Sequence, residues 1–337
     1  MKYRKAIIVL LYALPLPVLF ISLFIGPSGI ASSESIFEWV RHLIFNVNVE
    51  NMAGLQTVQS ILLDVRLPRI ILAFLVGGAL SISGSSLQAI FRNPLVSPYI
   101  LGLSSGAAFG AALALAWAFL PVQLSAFFFG LIAVALSYVA AIKHKNLSIV
   151  SLILSGVIVT GIFTALLTVV QYLSDPFKLQ SIVHWTMGNL HNASWKLLKA
   201  SCIPILLGVL ILYLMRWRLN VLALGDEEAR TSGVNPTREK IIVLVAATLA
   251  SSAAVSVAGI IGLYGLIIPH MVRMMIGPDN KQGTVINFLF GGTFLLIIDD
   301  FSRTIAGFEI PIGVITMLIG APFFLYLMKK TNIGWEN

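Results

Sequence analysis

Apolar residues in this chain fall into long blocks, broken at short intervals by charge, proline or glycine. Blocks long enough to cross a bilayer, about 20 residues each, recur about ten times. They read as spans 6–26, 66–90, 94–118, 122–142, 148–173, 197–216, 239–257, 260–276, 284–305 and 311–328. The second and third spans are separated by a hinge, Phe91-Arg92-Asn93-Pro94. Ala73, Gly77, Ser81 and Ser85 recur every four residues along the second span, and Gly102, Gly106 and Gly110 along the third. Small residues at that spacing let helix backbones approach closely in lipid, where apolar side chains alone give little reason to associate. No stretch is long or polar enough for a separate soluble domain. The pattern predicts an all-α, polytopic membrane protein, with residues 1–337 forming a single transmembrane domain.

Composition agrees: 58% of residues are hydrophobic, 11% are charged and the mean hydropathy is +0.94, values of the polytopic membrane class. The first apolar run is about 20 residues, against the 7–15 of a signal peptide. It is therefore read as a helix, although Gly29-Ile30-Ala31 resembles a cleavage site. With the N-terminus inside, only Arg41, Arg66, Arg69, Lys178, Lys196, Lys199 and Arg303 of the 22 Lys and Arg fall outside. That bias has the positive-inside sign and predicts both termini in the cytoplasm. The net charge of +8 then reports topology rather than nucleic-acid binding. The single Cys202 excludes an intramolecular disulfide and a thiolate metal cluster.

The longest cytoplasmic connection, 218–240, carries Asp226-Glu227-Glu228 early in a helical stretch and Gly233 where that helix stops. It reads as a short amphipathic docking element, with an ordinary solvated loop as the alternative. The external segment from Leu173 to Trp195 reads as an interfacial helix with Trp185 and Trp195 at headgroup depth. His184 and His191 lack a paired metal-binding spacing, so no metal site is expected. A shift of 175 residues aligns Ala79, Ser81, Gly84, Pro94 and Gly102 with Ala254, Ser256, Gly259, Pro269 and Gly277. An inverted repeat and a chance match between apolar helices both account for this.

No catalytic constellation is present: there is no phosphate-cradling G-x-x-x-x-G-K-[ST] loop, no H-E-x-x-H and no nucleophile elbow. The chain is not expected to hydrolyse ATP. Arg66, Arg69 and Arg303 stand out as outer-side cations at span ends, where charge costs far less than at mid-membrane. They read as an outward cationic rim able to meet carboxylates. Snorkelling to headgroups is one alternative, and pairing of Arg303 with Asp299 or Asp300 is another.

Taken together, several motifs resemble the permease subunit of type II ABC importers, the family that takes up iron siderophores, haem and cobalamin. These are Arg66-Leu67-Pro68-Arg69; the run from Gly77 through Gln88 to Asn93-Pro94-Leu95; Leu101-Gly102-Leu103-Ser104-Ser105-Gly106-Ala107; Leu224-Gly225 with Ala229 and Gly233-Val234; Gly265 to Pro269-His270 with Arg273; and Pro311-Ile312-Gly313 with Gly320-Ala321-Pro322-Phe323. The resemblance covers nearly the whole chain, which is most similar to the molybdate/tungstate member. It implies a ten-helix, multi-pass inner-membrane subunit that pairs with a copy of itself. Two ATP-binding subunits would dock on the cytoplasmic face and a soluble substrate-binding protein on the outer face, with no cofactor on the permease itself. The family's coupling helix matches Leu222 to Gly233, including Leu224, Gly225, Glu228 and Ala229. Its docking arginines match Arg66, Arg69 and Arg303, and its cytoplasmic gate matches Leu147, Ser148, Ile149 and Val150.

The third and fifth spans are expected to line the dimer axis, with Ser104, Ser105 and Gly106 near the path. For the glycines, helix packing is an equal alternative. The implied cargo is a metal chelate or a metal oxyanion, with molybdate or tungstate foremost. An ion-coupled secondary transporter would need a charged relay within the membrane, for which only Asp299, Asp300 and His270 qualify.

Overall fold

The computed structural model describes residues 2–26, 33–45, 52–143, 146–147 and 149–330. In chain order the helices are α1 (Lys2–Ala13), α2 (Pro15–Ser22), α3 (Ser33–Phe45), α4 (Met52–Ser60), α5 (Leu67–Phe91), α6 (Leu103–Trp117), α7 (Val122–Ala141) and α8 (Ile149–Leu173). They continue with α9 (Pro176–Thr186), α10 (Trp195–Leu224), α11 (Asp226–Thr231), α12 (Pro236–Ala258), α13 (Tyr264–Ile276), α14 (Asn280–Ser302) and α15 (Ile312–Lys330). Among the described residues the only strands, β1 (Ile142–Lys143) and β2 (Asn146–Leu147), form a two-residue antiparallel ladder. Ser148 and the segment Gly29-Ile30-Ala31 lie outside the described residues.

Among the described residues, seven helical stretches are long and apolar enough to cross a membrane, and α6, α13 and α15 are shorter apolar helices; together they occupy the ten expected spans. The seventh and eighth spans are parted by a break in the helix. The chain leaves the helix between Ala258 and Tyr264, where Gly259 and Leu263 adopt positive φ of 69° and 59°. The 13-residue α13 then rises only about 20 Å, less than the ~30 Å hydrocarbon core.

α5 is the centre of the bundle and is buried along almost its whole length. Its small residues allow this. A Cβ on Gly77 would lie 2.4 Å from the Gly291 carbonyl of α14, and one on Gly84 would lie 2.0 Å from the Gly265 carbonyl of α13. Ser81 Oγ also donates to Asn287 Oδ1 across the α5–α14 seam at 3.1 Å. α6 packs on α7 in the same way: Gly106 sits against Phe129 and Ala133, and Gly110 against Ser125, whose hydroxyl donates to the Gly110 carbonyl. Gly102 is not part of that helical stripe. It precedes α6 with φ +82°, a left-handed conformation that glycine adopts without cost.

The 175-residue shift pairs Ala79 and Ser81 inside α5 with Ala254 and Ser256 inside α12, but other pairs fall at unlike places. Gly84 lies inside α5 while Gly259 ends α12, and Pro94 lies between helices while Pro269 lies inside α13. The sequence reading also passed over α3 and α4, which pack Ile36, Val58 and Leu62 with Phe24, Trp39 and Ile61 into a small separate core. The interfacial helix expected between Leu173 and Trp195 is α9, N-capped by Asp175, whose carboxylate accepts from Phe177 and Lys178 N–H.

Candidate functional site

The end of the bundle assigned by the charge bias to the outer side carries the three singled-out arginines, and all are buried. Arg69, in the first turn of α5, faces the C-terminal end of α14. Its Nε lies 3.0 Å from Asp299 Oδ2 and its Nη2 2.8 Å from Asp299 Oδ1, a forked pair with a fully buried carboxylate. Its other edge donates to Glu309 at 2.7 and 3.1 Å. Arg303 pairs with Asp300 one helical turn back, approaches Asp299 at 3.8 Å and donates to the Ser22 carbonyl of α2. Ser22 in turn donates its hydroxyl to Asp300. Arg66 Nη1 donates to the Leu23 carbonyl at 2.7 Å. The three arginines thus do not form an exposed rim on this single chain. Arg66, Arg69 and Arg303 all meet acceptors of this chain, and the pairing of Arg303 with Asp299 and Asp300 is the arrangement found, although the buried Arg303 Nε makes no hydrogen bond.

The physical reason is desolvation. A guanidinium buried at a helix end needs a fixed acceptor, and the α14 carboxylates supply it together with the α2 carbonyls. The sequence reading missed Glu309, which precedes Pro311 in the α14–α15 loop. Burial raises its pKa, but the hydrogen bond and charge of Arg69 outweigh that and hold its carboxyl below the ordinary range.

At the opposite end, the connection from α10 to α12 folds as expected into a short helix, α11. Gly225 begins it with φ +151° and Gly233 ends the turn after it with φ +76°. Leu222 and Ala229 are fully buried and anchor the element, while Leu224 is 68% exposed and Glu227, Glu228 and Arg230 face outward. The loop is braced from beneath by Lys240–Asp226 at 2.6 Å and Arg218–Glu239 at 2.9 Å. A Cβ at Gly225 would meet Glu228 Oε2 at 2.1 Å. Gly225, Ala229 and Leu222 therefore shape the element, and Leu224 with the outward charges forms its presented face. The neighbouring Asp279 caps α14, and a hydrogen bond from Asn220 at 2.7 Å holds its carboxyl below the usual range.

The expected path residues divide. Ser105 is buried with its hydroxyl bonded to the Gly102 carbonyl, and Gly106 is packed on α7, so both are inside the subunit. For Gly106 and Gly110 the packing alternative is the one found. Ser104 remains half-buried. Of the gate segment, Leu147 pairs with Ile142 in the β-ladder, Ile149 begins α8 and Val150 is 75% exposed. At the end that carries Arg69, His184 and His191 meet edge to face with ring centroids 4.8 Å apart, a proximity their spacing did not suggest. Among the described residues, no group of three His, Cys, Asp or Glu is placed to hold a metal.

The model of the FecCD transport family matches residues 13–330. A protein of Helicobacter pylori named "Probable iron chelatin transport system permease protein" is 41% identical over 302 residues, covering 89% of this chain and 92% of that protein. The molybdate import system permease protein MolB of Haemophilus influenzae is 42% identical over 284 residues, covering 83% and 84%. The cobalamin import system permease protein BtuC of Halobacterium salinarum is 40% identical, covering 82% and 76%. At such even identities, the resemblance singles out no one substrate. A solved structure of a transporter assigned to the metal-chelate ABC type, in an inward-facing conformation, superimposes with a TM-score of 0.85 at 37% identity, covering 97% of this chain and 100% of that one. A helical bundle with these ten spans, matched along nearly its whole length, identifies the chain as an ABC-type permease that belongs to the FecCD transport family.

Proposed function

We propose that two copies of this chain form the membrane pathway of a binding-protein-dependent ABC importer, which brings a metal oxyanion or a metal chelate into the cytoplasm. The whole chain serves as one permease unit in the inner membrane, with both termini cytoplasmic. It needs no cofactor of its own and carries out no hydrolysis. ATP is bound and hydrolysed by two partner subunits on the cytoplasmic face, and a soluble binding protein delivers cargo on the outer face. The observation that carries this reading is α11. It is a braced element projecting Leu224, Glu227 and Arg230 from the end opposite the ion-pair network, in a chain of this family. Subunit closure around ATP would push on that face and tilt α10 and α12, which flank it.

The path runs in this reading along α8, which leaves Leu154, Val157, Ile158 and Ile162 exposed, and past the half-buried Ser104. The β-ladder and Val150 lie at its cytoplasmic mouth. Molybdate or tungstate is the first cargo to test, supported by the relative named for molybdate import. An iron chelate, haem or cobalamin is the second, supported by relatives named for iron chelatin, hemin and cobalamin transport. Leu224→Glu should leave expression and unfolding temperature unchanged while uncoupling the partner's ATPase from uptake. Normal coupling in that variant would remove α11 from the docking role.

A further inference from the structure

His184 ends the last turn of α9 and His191 follows the turn after it, and the segment between them is pinned on both sides. Asn189 N–H donates to the Ala258 carbonyl at 2.8 Å, and Gly188 accepts from Gly313 N–H at 3.3 Å. Gly188 itself has φ +72° and lies so close to Ile260 that a Cβ would meet its carbonyl at 2.3 Å. The two imidazoles are thus held together by fixed backbone rather than brought together by chance on a loose loop. Their rings stand at 74° with centroids 4.8 Å apart. Both also border a cavity whose wall carries Gln123, Gln180 and Asn192.

Two imidazoles bound to one metal through bonds of about 2.0 Å have centroids about 4.5 Å apart at a right angle and about 5.2 Å apart at a tetrahedral angle. The observed separation falls between these values. We propose that His184 and His191 form a two-histidine site for a late first-row divalent cation, its remaining positions filled by water or by the amide oxygens of the cavity. Imidazole suits copper, nickel and zinc. With only two protein ligands, the site is an accessory one for an exchangeable ion.

Asn189 Nδ2 lies 3.4 Å from His184 Nδ1. Binding through Nε2 places the proton on Nδ1, so the Asn189 amide would turn its oxygen there, as second-shell partners of metal-bound histidine do. The site's place on the outer side rests on the topology proposed above; the metal binding itself does not.

The test is titration of the tag-free complex with copper(II), followed by electron paramagnetic resonance, beside His184→Gln, His191→Gln and, as a control, His42→Gln. One copper per protomer with coupling to two imidazole nitrogens is expected. Each of the first two variants should weaken binding by at least about tenfold with unchanged unfolding temperature, and His42→Gln should leave it intact. Asn189→Asp, which supplies a carboxylate to Nδ1–H, should tighten it. Affinity unaffected by either variant, or a spectrum without paired nitrogen coupling, would show an edge-to-face ring contact only and overturn the site. Loss of uptake with the copper site intact would instead bear on the transport reading.

Discussion

Arg69→Ala is the perturbation that most sharply separates an internal network from an exposed docking rim. Asp299 is fully buried, and in this variant it loses the forked partner at 2.8–3.1 Å and keeps only Arg303 Nε at 3.8 Å. Removing one member of a buried pair costs about 3–5 kcal/mol because the other charge stays uncompensated. By contrast, Glu309 is 36% exposed at its side chain, so Glu309→Ala should cost about 1 kcal/mol or less. Arg69→Lys keeps the charge but not the fork and should fall between them. Thermal unfolding of the detergent-purified protein, followed with a thiol-reactive dye on the single Cys202, reads these differences. Arg69→Ala should lower the midpoint on the order of 5–10 °C. An Arg69→Ala protein as stable as the parent, with binding-protein association abolished, would refute the network and restore the open rim.

Two further outcomes follow from the same geometry. Gly84→Ala should destabilise by about 1–3 kcal/mol, because its Cβ would meet the Gly265 carbonyl at 2.0 Å, whereas Gly161→Ala in α8, with nothing within 4 Å, should be neutral or stabilising; equal midpoints would contradict the α5–α13 contact. Glu309 has its pKa held below the ordinary 4.5, so its contribution is present above that value and is lost as pH falls through it towards the lower folded value. Glu309→Gln should therefore flatten the drop in midpoint between pH 5 and the acid limb, and an unchanged slope would show that the pair with Arg69 does not form.

The spans were legible because lipid permits no other solution: each needs about 20 apolar residues with every backbone group paired. The short helix between α10 and α12 was legible because acids at a helix start and glycine after its end are local signals, and α11 follows them. Pairing across the fold was not. Arg69 meets Asp299 230 positions away and Glu309 240 away, while the Arg303–Asp300 pair, three residues apart, was visible as an alternative. The glycines of α6 show the same limit. Spacing announces a smooth stripe, but only the packed structure shows that Gly106 and Gly110 meet α7. α3 carried a usable signal, since Ile36, Trp39 and Val40 fall on one helical face. His184 and His191 carried none, because a helix end and a pinned turn bring them together.

The central claim is tested most directly by uptake into proteoliposomes that hold this permease with its ATP-binding subunit, with binding protein and labelled molybdate, tungstate, ferric chelate, haem or cobalamin added outside. The account predicts accumulation of one of these that requires the binding protein and ATP at the α11 face and persists when ion gradients are collapsed. Uptake that proceeds without ATP and stops with the ion gradient would contradict it.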